Sequence, residues 1–162
     1  MKYILSLIII IQSSVAFSQC NCQSFTKNGI NSTQCPIQPI GGDKSLQIGI
    51  GFAKSEAERY ISVIIRFKSN TQNMTNNLSL TLLDGNIIEL PLYQSKLGYV
   101  GNSEVSSGNF SVDDISLKLL SKAPIKSISF YLEDNLKHIL SVKANNKTII
   151  NQIKHHVEMP RM

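Results

Sequence analysis

The chain is 162 residues long and 42% hydrophobic, with 16 Lys and Arg against 11 Asp and Glu for a formal net charge of +5. Its basic residues are scattered singly, without the basic stripe that nucleic-acid binding normally requires, so no nucleic acid is expected as a partner. After residue 18 no apolar run approaches the roughly 20 residues needed to span a bilayer, so the mature chain is expected to have no transmembrane span.

Residues 1–18 have the three-part layout of a cleavable secretory signal. Lys2 gives the positive start, Ile4 to Ile11 the apolar stretch, and Ala16 and Ser18 the small residues that a signal peptidase accepts. Cleavage before Gln19 removes Lys2, lowers the charge to about +4 (5 − 1), and sends the chain to a secreted or periplasmic location. The alternative is a lipoprotein acylated at Cys20. That chemistry favours a small residue before the cysteine, and Gln19 is not small.

Residues 19–45 form a cysteine-containing lead-in. Asn28-Gly29, Cys35-Pro36, Gln38-Pro39 and Gly41-Gly42 crowd it with turn formers, and irregular structure is expected. It holds all three cysteines, Cys20, Cys22 and Cys35. In an oxidising compartment one disulfide and one leftover thiol are the ordinary outcome. Cys20 and Cys22 are too close to bridge without strain. Cys35 therefore pairs with one of them, Cys22–Cys35 being preferred and Cys20–Cys35 the alternative, and closing that loop contributes about 3 kcal/mol. Cys-x-Cys can also chelate zinc or copper, but no histidine lies nearby in sequence, and neither a metal nor another cofactor is expected.

Residues 46–162 read as one β-rich domain with a terminal helix. Leu46, Ile48, Ile50 and Phe52 alternate with Gln47, Gly49 and Gly51, the period of a half-buried strand. Ile61, Val63, Ile65 and Phe67 repeat it after a charged turn at 54–59. Within that first strand, Gly49-Ile50-Gly51 has no following helix to make a phosphate loop and signals a bulge or a close backbone approach. Leu78 to Leu92 forms a hairpin. A three-residue loop at Asp84-Gly85-Asn86, with Asn86 in the left-handed conformation, pairs Leu82 with Ile88, Leu80 with Leu90 and Leu78 with Leu92 on one apolar face. Pro91 marks an edge or a strand end.

Leu97 to Val105 predicts a poor, interrupted strand. Ile115, Leu117 and Leu119 alternate as a further strand, and Ile128, Phe130 and Leu132 as another after the Ala123-Pro124 turn. Glu133-Asp134-Asn135 is a second hairpin tip, whose three-residue loop sets His138 opposite Phe130. From Ala144 to Val157 the period changes: Ile149, Ile150, Ile153 and Val157 fall on one helical stripe, with Asn145 or Asn146 as cap. The absence of long helices between strands excludes parallel crossovers. The fold class is thus all-β, an antiparallel β-sandwich of about seven or eight short strands with a short C-terminal amphipathic helix, with an open β-barrel as the alternative.

The residues that carry chemistry form no recognised set. His138 belongs at the rim of the core. His155 and His156 are adjacent on a helix and cannot form the i, i+4 pair that binds metal there, although His156 projects near the Ile149 and Ile153 stripe. Asp113-Asp114 reads as a turn, and no serine lies in a nucleophile elbow. Tryptophan is absent, and a sugar platform would need the fold to gather Tyr60, Tyr93, Tyr99 and Tyr131. Asn31, Asn73, Asn77, Asn109 and Asn146 begin sequons that chance accounts for. With no catalytic, cofactor-binding or metal residues to assign, the expected function is non-enzymatic binding of a protein or an envelope or extracellular macromolecule through sheet edges or loop ends. The alternatives are a small hydrolase with a site built from Asp113, Glu104 and His138, and an accessory or inhibitor protein for a neighbouring gene product.

Overall fold

The structure, a computed structural model, describes residues 21–27, 29–55 and 58–158. The expected signal peptide and Cys20 lie outside these residues. Eleven strands and two helices occur among them: β1 (Gln23–Lys27), β2 (Ile30–Gln34), β3 (Gln38–Gly42), β4 (Leu46–Ser55), β5 (Glu58–Phe67), β6 (Met74–Leu82), β7 (Ile87–Leu90), β8 (Leu92–Val100), β9 (Ser103–Ser111), α1 (Asp114–Leu120), β10 (Ile125–Leu132), β11 (Lys137–Ser141) and α2 (Asn146–Glu158). They form a seven-stranded sheet in the order β1-β2-β4-β5-β9-β8, with β3 also on β4, and a four-stranded sheet in the order β11-β10-β6-β7. Every pairing is antiparallel. The two ladders are separate, so the chain folds as a sandwich and not as the barrel alternative.

Period-two patterning sets the register. β4 meets β5 as Leu46 with Phe67, Ile48 with Ile65, Ile50 with Val63 and Phe52 with Ile61, so alternate side chains of both strands enter one face. Across the core, Leu78, Leu80 and Leu82 of β6 lie buried with Ile128, Phe130 and Leu132 of β10. A buried hydroxyl links the two layers: the Met74 amide of β6 donates to the Ser106 hydroxyl of β9 at 3.2 Å. Helix α2 packs on β4 and β3, extending the cover of the larger sheet beyond the four-stranded one.

Eleven strands occur among the described residues where about seven or eight were expected, and the charged 54–59 segment expected as a turn runs as paired strand to Ser55 and again from Glu58, with Lys54 opposite Arg59. The structure departs from expectation in four further places. The lead-in expected to be irregular carries β1, β2 and β3; β2 and β3 lie end to end along one edge of β4, and backbone pairing outweighs its turn-rich composition. Ile115–Leu119, expected as a strand, lies within α1. The Asp113 carboxylate accepts the Ser116 amide at 2.6 Å as an N-cap, Leu117 and Leu120 are buried one turn apart, and Ile115 is 72% exposed. Leu97–Val105, expected as an interrupted strand, belongs to two nine-residue strands, β8 and β9, turning at Gly101. Finally, the β6–β7 hairpin has the expected three-residue loop, but over Leu83-Asp84-Gly85. Gly85, at φ +89°, takes the left-handed position in place of Asn86. Leu80 therefore meets Ile88 and Leu78 meets Leu90, which keeps the apolar face continuous.

Candidate functional site

Two features stand out, at opposite ends of the seven-stranded sheet. Toward the β1 end, beside β4, residues 35–37 step from β2 to β3. The Cys35 amide donates to the Phe52 carbonyl at 2.7 Å, and Ile37 lies over Gly49 and Gly51. A Cβ added at those glycines would sit 2.5 and 2.7 Å from Ile37 carbons, so the glycine pair marks a close approach, as its sequence suggested. Cys35 is disulfide-bonded to Cys22, the pair preferred from the sequence.

Helix α2 brings His156 onto this bond. Its Nε2 stands 3.3 Å from the Cys35 sulfur, and its ring lies 6.2 Å from that of Phe52. The imidazole is 1% exposed. Burial, reinforced by the positive charges of His155, Lys54 and Arg59, pushes its pKa down to about 4, so the ring is neutral at pH 7. One turn earlier, the fully buried Gln152 donates from Nε2 to the Pro36 carbonyl at 2.9 Å. Gln152 Oε1 and His156 Nδ1 have no hydrogen-bond partner. Cys22, Cys35 and His156 are the one group of three metal-ligating side chains, among the described residues, whose ligand atoms lie within 4.8 Å of one another.

The sequence placed His156 beside the inward stripe of α2 but gave no sign that the helix returns to Cys35, 121 residues away. The i, i+3 and i, i+7 relation of His156 to Ile153 and Ile149 was the available signal.

At the other end stands β8. Among the described residues it pairs with β9 alone, leaving its outer edge open. Tyr93 and Tyr99 are 59% and 75% exposed, and Leu97 and Val100 are also exposed. Lys96 is its single charge. A register shift between Leu92 and Gln94 marks its start, and there Tyr93 packs on Tyr60 with ring centroids 4.9 Å apart. Of the four tyrosines considered for a platform, these two meet, while Tyr131 lies in the other sheet. There it lines a polar trough of about 500 Å³ with Asn77, Ser79, Glu89 and Lys137.

The residues considered for hydrolysis occupy three different elements. Asp113 caps α1, and its hydrogen bonds from Ser116 hold its carboxyl below the usual carboxylate range. Glu104 sits opposite Tyr99 on β9. His138, opposite Phe130 as expected, stacks on that ring at 5.4 Å in the four-stranded sheet. No family model, curated protein or solved structure matches the chain.

Proposed function

We propose that the protein is a secreted or periplasmic interaction domain without catalytic activity, which captures an extended segment of a protein partner along β8. One observation carries this reading: a nine-residue edge strand with a single charge and four exposed apolar or aromatic side chains. Such edges are normally blunted by charge, proline or shortness, because an unpaired row of amides and carbonyls recruits other chains. A partner strand would take main-chain hydrogen bonds from β8 and side-chain contacts from Leu97 and Tyr99. The sheet's other terminal strand, β1, is five residues long. The disulfide and the absence, among the described residues, of any helix long and apolar enough to cross a membrane are compatible with an exported protein.

A photo-crosslinking residue placed at position 97 or 99 in cells tests the reading. Adducts from these positions, and none from the equally exposed Leu83 at the far hairpin, support it. Adducts from position 83 alone, or from no position, would remove β8 as the docking edge.

A further inference from the structure

We propose that the Cys22–Cys35 pair has a second state: once reduced, its two sulfurs and His156 Nε2 form a binding site for Zn²⁺. The inference is independent of the role of β8. It rests on ligand placement. A tetrahedral zinc with bonds of about 2.3 Å to sulfur and 2.0 Å to nitrogen sets its S and N ligands roughly 3.5 Å apart. Cys35 Sγ and His156 Nε2 already stand 3.3 Å apart, so that edge of the tetrahedron is preformed. The remaining rearrangement is separation of the two sulfurs by roughly 2 Å to the spacing of a zinc dithiolate. Cys22, half-buried ahead of β1, is the partner that shifts in this change, whereas Cys35 is held by the hydrogen bond from its amide to the Phe52 carbonyl.

A second observation points into the same place. His156 is 1% exposed, is held against Cys35 and Phe52 through its Nε2 edge and ring, and has no hydrogen-bond partner at Nδ1. The fully buried Gln152, one helical turn away, presents an unpartnered Oε1. A ligating histidine ordinarily donates its second ring N–H to such a carbonyl, directly or through water. The charge also balances: Zn²⁺ with two thiolates is neutral overall, which an interior site tolerates far better than a net charge.

The chemistry needs an external reductant, a phosphine or a dithiol. With a phosphine, phosphorus attacks one sulfur, the S–S bond breaks, two thiols take protons from water, and the phosphine leaves as its oxide carrying the water oxygen. Zinc then binds both sulfurs and releases two protons, and the imidazole enters as a neutral ligand.

The test uses the chain carrying Cys20→Ser, so that the third thiol plays no part. It is reduced with a phosphine without oxygen and titrated with Co²⁺, then with Zn²⁺ against a chromophoric chelator. The site predicts one equivalent of Co²⁺, with thiolate-to-cobalt charge transfer and intense tetrahedral bands, displaced by one equivalent of Zn²⁺. The oxidised chain should show neither. His156→Gln, of similar volume, should weaken zinc binding at least about tenfold, since even supporting residues of metal sites have effects of that size. Equal Co²⁺ spectra from reduced and oxidised chains, or a His156→Gln variant that binds like its parent, would overturn the assignment. So would a reduced chain whose circular dichroism shows unfolding that zinc does not reverse, because the site exists only while α2 is packed on Cys35.

Discussion

The two edges of the seven-stranded sheet are built on opposite plans. On the side away from β8, β4 is sealed: β2 and β3 cover it in tandem, a disulfide ties β2's exit to the residue before the short terminal strand β1, and α2 packs over the strands. The lead-in to α2 adds two hydrogen bonds, from the Lys143 amide to the Ile40 carbonyl at 2.8 Å and from the Asn145 side-chain Nδ2 to the Pro39 carbonyl at 2.6 Å. Nothing comparable covers β8 among the described residues, although it exposes more aromatic surface. A fold that commits a crosslink and a helix to one edge and leaves the other uncovered separates stability from recognition. Substitutions at the sealed edge should change stability, and those at the open edge should change binding.

The largest expected effect is at the sealed edge. Phe52→Ala empties the space beneath His156 and Cys35 and should lower unfolding stability by about 3–5 kcal/mol in a denaturant titration. Cys35→Ser removes the crosslink and should cost about 2–4 kcal/mol, read as a shifted midpoint against the oxidised parent.

A pH effect of at most about 3 kcal/mol should come from His156. Its folded pKa of about 4 lies below the ordinary 6.5, so the unfolded chain binds the proton that the folded chain refuses. Its contribution is complete above about pH 6.5 and is lost as pH falls toward 4. The facing positive groups, His155, Lys54 and Arg59, act in the same direction. The Asp43 and Asp113 carboxyls are held low by hydrogen bonds and lose their contributions only at more acid pH. Denaturant midpoints for the parent and His156→Gln between pH 7 and 4.5 should therefore converge as pH falls. Parallel curves would show that the buried imidazole plays no part in the acid sensitivity.

The smallest effect on stability is at the open edge. Leu97→Lys and Tyr99→Glu should change unfolding stability by no more than about 0.5 kcal/mol, while abolishing crosslinking at β8. Should either cost as much as Phe52→Ala, the division between the two edges would fail.

Legibility in the sequence followed the same division, for physical reasons. The alternation from Leu46 to Phe52 and from Leu78 to Leu90 fixed strand identity and the buried face, because a slip by one residue would expose a whole row of leucine and isoleucine. Leu92, expected opposite Leu78, instead opens β8 in the other sheet opposite Phe110. The loop at Leu83-Asp84-Gly85 was displaced by one residue because two pairings bury the same face, and the chain chose the one that puts glycine, not asparagine, at positive φ. Ile115, Leu117 and Leu119 alternate like a strand, yet Leu117 and Leu120 also satisfy a helical turn, and the Asp113 cap decided between the two periods. β1 to β3 carry few apolar residues, so their pairing with one another and with β4 left no hydrophobic pattern to read. Spacing excludes a Cys20–Cys22 bond but does not separate Cys22 from Cys20 as the partner of Cys35; the bond formed is Cys22–Cys35. Its contact with His156 depends on how α2 packs on β4, which no local pattern encodes.

Backbone amide hydrogen exchange, resolved by residue on the protein without any partner, tests the unequal edges most directly. Slow exchange is expected along β4 and β3 and rapid exchange at every second amide of β8, where the hydrogen-bonding row faces solvent. Uniformly slow exchange throughout β8 would mean that its outer side is already covered, and would contradict the open edge.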